Sequence, residues 1–302
     1  MVRVNVDSEA TDDQRRSALY AGDLFAYSSG AVGRALCEFA RGMLEEAFHP
    51  HSPPEAQYHL RVERYAEILA ELKPSFIHHP ESKRLIQALL SQFGCDREKT
   101  YFDVPRLRSS TSDGYLTTGI AYAFHPHRDT WYSAPQSQLN WWLPIYPLTD
   151  GDGMVFYPRY WNRAVKNGSH RYNYAEWNAQ SRFAAAEQIG IDRRDQPKPE
   201  EEMDLSDDLR LQGEAGSMVV FSGAQMHASL ENLSGRTRFS IDFRTVHMDE
   251  VVDGSGSPNV DSECTGTTMG DYLRCRDLAH VSDDWIQRYE KGYGRPKPDV
   301  DS

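Results

Sequence analysis

The stretch GSMVVFSGAQMHASLENLSGRTRFS, residues 216–240, decides the fold. Its apolar first part predicts a strand at 216–222, and its alternating polar and apolar end predicts another at 237–246. His227 lies in the polar segment between them. His227 is therefore predicted to come from the turn between these two strands.

Outward from this stretch, further short apolar runs predict more strands. They are separated by Gly, Pro, Asp and Ser and lie at 100–106, 117–124, 138–146 and 153–158. Many short strands in succession favour a jelly-roll or cupin-like core. No G-x-G-x-x-G or P-loop pattern is present, which disfavours a nucleotide-binding α/β fold.

The residues before this core are predicted to be helical. Apolar residues recurring at three and four indicate helices at about 32–47, 54–72 and 81–93. The predicted class is therefore mainly β with N-terminal helices (α+β). Its parts are a helical region at 1–99, a β core at 100–248 and a tail at 249–302.

A polar insertion at about 159–212 interrupts the core. A helix is predicted within it from Tyr174 to Ile189, and an insertion of this kind is often a lid or a substrate loop. The tail is rich in Gly, Ser, Asp and Pro, with a short helix predicted near Asp271 to His280.

His127, Asp129 and His227 have the composition of an iron site. Two histidines and one carboxylate form the facial triad of non-haem Fe(II) oxygenases, which leaves positions open for co-substrate and O2. Strand residues two apart share a face, so His127 and Asp129 can project together if they lie on or just after the strand at 117–124. His227 can meet them only in a closed or a sandwiched sheet.

Arg238, eleven residues beyond His227, shares a strand face with Ser240. An arginine inside a barrel needs an anionic partner, because an unpaired buried charge is costly. Its planar fork suits a carboxylate, so the pair can bind a dicarboxylate. Arg236 and Arg244 have the same phase and are predicted to face solvent; the spacing from His227 distinguishes Arg238.

Two segments carry a family resemblance. FHPHRDTW, residues 124–131, and the stretch at 216–240 resemble the two halves of the Fe(II)/2-oxoglutarate dioxygenase superfamily, in its phytanoyl-CoA-hydroxylase-like branch. The similarity covers about residues 117–146 and 213–246. It implies a double-stranded β-helix core. The implied iron ligands are His127, Asp129 and His227, and the implied anchors of the distal 2-oxoglutarate carboxylate are Arg238 and Ser240.

The resemblance also implies a reaction. Such enzymes use Fe(II), 2-oxoglutarate and O2 to oxidise an unactivated C–H bond of a small organic molecule, releasing succinate and CO2. In related halogenases the position of Asp129 holds a small residue, which leaves room for chloride. Asp129 therefore favours hydroxylation, desaturation or ring formation.

Side chains near the ligands are candidates for substrate contact. An aromatic wall with a few polar groups suits a small organic substrate, and alternation allows only one of Trp141 and Trp142 to face inward. His125 is in phase with the ligands and can support one of them or touch substrate, or it can simply be packed or exposed. Arg128 can steer an anionic group or lie outside. The candidates are His125, Arg128, Trp131, Tyr132, Asn140 and Trp142.

Composition limits the partners. Lys and Arg total 33 against 45 Asp and Glu, so the net charge of −12 disfavours nucleic acid. This charge favours solubility, with an acidic cleft for a cationic substrate as the alternative. No apolar stretch is long enough to span a membrane, and the N-terminus lacks a signal-peptide run, so a cytoplasmic location is expected.

Three other functions remain open. A cupin-type metalloenzyme without 2-oxoglutarate would keep the three ligands but have no use for Arg238 in the pocket. A protein-side-chain hydroxylase could dock a basic partner on the acidic stretch at 192–208. A non-catalytic barrel would bind no iron. The sequence identifies neither the substrate nor the oligomeric state.

Overall fold

A computed structural model describes residues 2–121, 125–149, 151–180, 189, 194 and 196–292. Four helices cover most of the N-terminal region: α1 Asp12–Tyr20, α2 Ala31–Phe48, α3 Val62–His78 and α4 Pro80–Gln92. Each buries one face; in α2, for example, Leu36, Ala40 and Leu44 are fully buried. No helix among the described residues has the length and apolar character needed to cross a bilayer.

Helix α3 differs from its prediction at both ends. The segment 53–58, where the helix was predicted to begin, forms a separate 3-10 helix. The predicted end at Leu72 was also wrong, because α3 continues to His78 with Pro74 inside it. Leu72 and Phe76 lie one turn apart in the same core cluster, so burying Phe76 offsets the hydrogen bond that the proline removes.

The strands form two sheets. They are β1 Val4–Val6, β2 Leu24–Tyr27, β3 Thr100–Phe102, β4 Arg106–Ser110, β5 Leu139–Pro144, β6 Met154–Phe156, β7 Leu209–Leu211, β8 Met218–Ser222, β9 His227–Ser229, β10 Arg238–His247 and β11 Leu273–Arg274. The main sheet has the order β1-β2-β8-β5-β10-β3-β11, with β4 also paired to β10, and the second has the order β7-β6-β9.

The mixture of helices with mostly antiparallel sheets confirms the predicted fold class. Among the described strands, only β1 and β2 pair in parallel. Hydrogen bonds between the described strands do not close the two sheets into a continuous barrel. The sheets are instead two separate layers, and the site lies between them.

The sequence predicted a helical region at 1–99, but the N-terminal region also contains strands. β1 and β2 extend the main sheet, where β2 pairs with β8 in the register Phe25↔Val220. These strands have three and four residues, too few to show a clear period. The predicted boundary between two regions at residue 99 remains a proposal. The first region supplies strands to the main sheet of the second.

Alternation along β10 separates the two faces of the main sheet. Phe239, Ile241 and Phe243 pack in the core cluster that contains the N-terminal helices. Arg238 and Ser240 point the other way, toward the second sheet. β5 behaves likewise: Trp141 packs with the helices, and Trp142 packs with apolar residues of β6 and β8, so only one of the pair faces inward, as predicted.

Two predicted segments are covered only in part by the described residues. Instead of a strand at 117–124, residues 119–121 form a 3-10 turn in which Gly119 has φ +62°, and residues 122–124 lie outside the described residues. In the insertion, α5 spans Tyr174–Gln180. Most of the rest of the helix predicted to end at Ile189 lies outside the described residues.

The tail also differs from its prediction. Instead of a helix near 271–280, β11 pairs with β3, and Leu278 adopts a positive φ that a helix does not allow. In the described part of the tail, the α-helices are α6 Met248–Asp253 and α7 Asp283–Glu290.

Candidate metal centre

His127, Asp129 and His227 come together between the sheets. Ligand atoms of all three lie within 4.8 Å of one another. His127 and His227 form an antiparallel bridge through backbone N–O distances of 2.9 and 3.0 Å, and Asp129 follows at the start of a 3-10 helix. This bridge brings the ligands together, so the expectation that a strand at 117–124 does so was wrong.

Hydrogen bonds fix the orientation of both imidazole rings. Nδ1 of His127 lies 2.8 Å from the carbonyl oxygen of His125, and Nδ1 of His227 lies 2.9 Å from that of Gln225. A carbonyl only accepts, so each Nδ1 carries the proton and each Nε2 keeps a lone pair for a metal. Burial, with His127 nearby, lowers the pKa of His227 to about 4, which keeps it neutral.

Asp129 directs one carboxylate oxygen at the histidines. Its Oδ1 lies 3.4 Å from Nε2 of His127 and 3.9 Å from Nε2 of His227. Its Oδ2 accepts hydrogen bonds of 2.9 Å from both Gln138 Nε2 and Asn140 Nδ2. The two amides therefore occupy the far oxygen and leave Oδ1 for a metal.

Arg244 lies beside this carboxylate, and the prediction that it faces solvent was wrong. Three carboxylates surround its guanidinium at 3.4–3.5 Å, those of Asp103, Asp129 and Asp242. Burial alone would raise the pKa of Asp129, but Arg244 and the two histidines hold it well below its usual value. Arg244 therefore keeps Asp129 ionised, which is the form that binds a metal.

Arg238 is buried on the face of β10 that also carries Arg244. Nη1 donates to the carbonyls of Asp152 at 2.9 Å and Gly153 at 3.2 Å, and Nη2 donates to Ser229 Oγ at 3.2 Å. The guanidinium carbon lies 5.6 Å from the ring centre of Trp142. No carboxylate of the described residues forms an ion pair with it, and burial lowers its pKa to about 10.

Two buried polar atoms near this arginine have no partner among the described residues. They are Nε of Arg238 and Oγ of Ser240. Such groups are costly to bury unless something bonds them. Both are donors on one face of β10, so the residues fit the distal carboxylate of 2-oxoglutarate, and the donor set of the triad fits Fe(II).

Two of the candidate substrate residues lie at the ligands. The ring of Tyr132 meets that of His127 edge-on at 5.5 Å, and the ring of His125 lies 6.0 Å away. Both also bond the carbonyl oxygen of Pro197, at 2.8 Å from Tyr132 Oη and 2.7 Å from His125 Nε2. These bonds tie the polar insertion to the edge of the metal centre.

The other four candidates have different surroundings. Arg128 and Trp131 both bond the carboxylate of Asp261 and are fully buried. Asn140 supports Asp129, and Trp142 lies beneath Arg238. We therefore do not propose these four as substrate contacts. Sequence reasoning missed Gln138, Asp261 and Arg244, of which only Arg244 gave a signal, through its phase on β10.

A cavity of about 240 Å³ opens beside this centre. Its wall includes His125 and also Ser229, which hydrogen-bonds Arg238. The remaining wall is largely uncharged, with Ser110, Thr111 and Thr117 among its residues. A larger cavity of about 570 Å³, lined by Arg15, Phe93 and Leu143 among others, lies on the helix side of the main sheet.

Comparison with known proteins identifies a family. A profile of the family described as phytanoyl-CoA dioxygenase (PhyH) matches residues 44–240, more than half of the chain. The matched range contains the triad, Arg238 and Ser240. A comparison with curated proteins found no match.

Several solved structures are similar at low identity. EvdO2 from Micromonospora carbonacea var. aurantiaca is 13% identical, over 62% of this chain and 65% of its own, with a TM-score of 0.38. The non-heme monooxygenase ThoJ is 16% identical over 87% and 88%, with a TM-score of 0.39.

The epimerase SnoN from nogalamycin biosynthesis, in complex with Fe3+, alpha ketoglutarate and nogalamycin RO, is 13% identical over 77% and 82%, with a TM-score of 0.39. The chain thus spans just under two thirds of EvdO2.

Proposed function

Because the chain belongs to the phytanoyl-CoA dioxygenase family, we propose that it is a non-haem Fe(II)/2-oxoglutarate-dependent oxygenase. Its substrate would be a small organic molecule with an unactivated C–H bond. The family assignment confirms the resemblance noted in the sequence, and Fe(II) and 2-oxoglutarate are the cofactors of that family. The observation that carries the proposal is the triad together with two unpartnered donor atoms on β10, Nε of Arg238 and Oγ of Ser240.

Each residue has a distinct role. His127, His227 and Asp129 would hold Fe(II) through the two Nε2 atoms and Oδ1. Arg238 and Ser240 would hold the distal carboxylate of 2-oxoglutarate, which would then reach the metal with its keto-acid end. When bound, the iron and its co-substrate supply the oxidising power for C–H cleavage, with release of succinate and CO2.

The surroundings of His227 keep water away. Its ring lies 4.9 Å from that of Phe221 and 6.2 Å from that of Phe156, both buried between the sheets. A dry wall strengthens the electrostatic contacts made by Asp129 and Arg238 and suppresses side reactions with solvent. On the open side, we propose that His125 and Tyr132 touch the substrate.

Asp129 narrows the reaction type. Its carboxylate occupies the position that a halide would need, so we propose hydroxylation, desaturation or ring formation. The cupin alternative gives the unpartnered Nε of Arg238 no ligand to bind, and no contact of the described residues favours a protein substrate. A cytoplasmic location remains a prediction.

Release of succinate tests this proposal. The Fe(II)-loaded protein is incubated with 2-oxoglutarate in air against a panel of small organic molecules, and succinate is measured by mass spectrometry. We expect succinate that requires Fe(II), increases with one class of molecule and is absent in His227→Ala. Oxidation of a panel member without consumption of 2-oxoglutarate would overturn the proposal in favour of a cupin-type metalloenzyme that does not use 2-oxoglutarate.

A further inference from the structure

The segment 255–272, which we call the C-terminal strap, runs along the loop that carries Asp129. It lies beyond the family match and after the last strand of the predicted core. Along the loop, Thr130 O accepts from Ser262 Oγ at 2.5 Å, and Ser133 Oγ donates to Thr265 O at 2.6 Å. The strap therefore bonds the ligand loop at successive positions.

Asp261 is the centre of these contacts. Its Oδ1 accepts from Trp131 Nε1 at 2.7 Å, and its Oδ2 accepts from Arg128 Nε at 3.1 Å and Val165 N at 3.0 Å. Its carbonyl oxygen accepts from Asn167 Nδ2 at 2.9 Å. One buried residue of the strap thus joins the ligand loop to the start of the insertion.

Arg128, the partner of Asp261, stands between two iron ligands in the sequence. Its other nitrogens donate to carbonyls, among them Ala224 O at 2.5 Å, and Ala224 lies three residues before His227. The ion pair is almost fully buried, with 1% and 4% of the two side chains exposed. Arg128 therefore links both ligand-bearing segments, and Asp261 fixes its guanidinium.

A second contact reaches Asp129 itself. Tyr272, at the end of the strap, is fully buried and donates from its hydroxyl to Gln138 Oε1 at 2.8 Å. Because that oxygen accepts, the amide nitrogen of Gln138 must face the other way, where it donates to Asp129 Oδ2. The tyrosine thereby sets which end of Gln138 faces the carboxylate.

We propose that the C-terminal strap is a positioning element for the metal centre, acting through Asp261 on Arg128 and through Tyr272 on Gln138. This inference rests on the proposed function for the identity of the site. Residues that orient ligands from outside the coordination sphere commonly change metal affinity 10- to 100-fold. Tyr272 and Asp261 are positioning residues, since neither reaches a ligand atom of the triad.

Titration with Co(II), a metal that reports its coordination through its visible spectrum, tests the proposal in the metal-free full-length protein. The variants are Tyr272→Phe, which removes one hydroxyl, and Asp261→Asn. Tyr115→Phe removes a hydroxyl bonded to Leu60 O, and Asp277→Asn alters a carboxylate bonded to Arg274; neither side chain bonds the strap or the triad. Circular dichroism and thermal unfolding check that each variant folds.

We expect Tyr272→Phe and Asp261→Asn to weaken Co(II) binding roughly 10- to 100-fold and to change its spectrum, while both controls match wild type. Wild-type affinity and spectrum in a folded Tyr272→Phe variant would overturn the inference, even if Asp261→Asn fails to fold. A wild-type protein that binds no Co(II) would instead refute the proposed metal site, and the inference with it.

A double variant tests whether Tyr272 acts on Asp129 through Gln138. Gln138→Ala is expected to weaken Co(II) binding, and adding Tyr272→Phe should weaken it no further, since the tyrosine acts through the amide that is already gone. Full additivity of the two losses would contradict this route.

Discussion

Nε of Arg244 lies 3.5 Å from Oδ2 of Asp129, on the side of the carboxylate away from the histidines. The carboxylate of Asp129 thus lies between two positive charges, the guanidinium of Arg244 at Oδ2 and the proposed metal ion at Oδ1. The same guanidinium contacts Asp103 and Asp242, so its own charge is balanced in the absence of a metal.

Replacing this arginine should weaken metal binding. In Arg244→Gln the pKa of Asp129 rises, because burial then acts without the opposing guanidinium, so protons compete with the metal as pH falls. We expect roughly tenfold weaker Fe(II) binding, increasing below neutral pH, in anaerobic titrations. Exposed Arg236→Gln is the control. Equal affinities for the two variants at pH 6 would refute this role.

Stability of the metal-free protein should depend on pH through His227. Its pKa is about 4 when folded and 6.5 ordinarily, so between these values the unfolded chain binds more protons. The free energy of unfolding should therefore fall as pH drops from 6.5 toward 4, with about 2 to 3 kcal/mol from this residue.

Urea unfolding at several pH values measures this contribution. His227→Gln should flatten the pH dependence, whereas exposed His78→Gln should leave it unchanged. The result that counts against the prediction is an equal slope for wild type and His227→Gln between pH 4 and 6.5.

Pro74 offers a test of the helical region. It lies inside α3, is exposed and cannot donate a backbone hydrogen bond. Pro74→Ala should restore that bond and raise the free energy of unfolding by about 1 to 3 kcal/mol, measured in urea. The neighbouring Ser75→Ala should change it by less than about 0.5 kcal/mol. A destabilised Pro74→Ala would mean that α3 is not a continuous helix there.

What the sequence could predict followed from local pattern. The alternation of β10 put Arg238 and Ser240 on one face, and motif spacing selected the three proposed ligands. The same alternation did not separate Arg238 from Arg244, because phase says nothing about which carboxylates lie opposite. The prediction of a strand at 117–124 was wrong because Gly119 has a positive φ, which interrupts an extended backbone.

The supporting residues were beyond sequence reasoning for a different reason. Tyr272 and Gln138 are separated by 134 positions, and Asp261 and Arg128 by 133. Tyr, Gln and Asp at such distances carry no local signal, since each is equally compatible with a surface position. Only the folded chain brings the strap onto the ligand loop.

The most direct test of the central claim is anaerobic titration of the Fe(II)-loaded protein with 2-oxoglutarate, followed by the visible metal-to-ligand charge-transfer band. We expect a saturable band in wild type and in the control Arg236→Ala. Arg238→Ala should need roughly tenfold or more additional 2-oxoglutarate, because a charged hydrogen-bonding group is lost. Iron-loaded wild type that shows no band, or Arg238→Ala that titrates like wild type, would contradict the account.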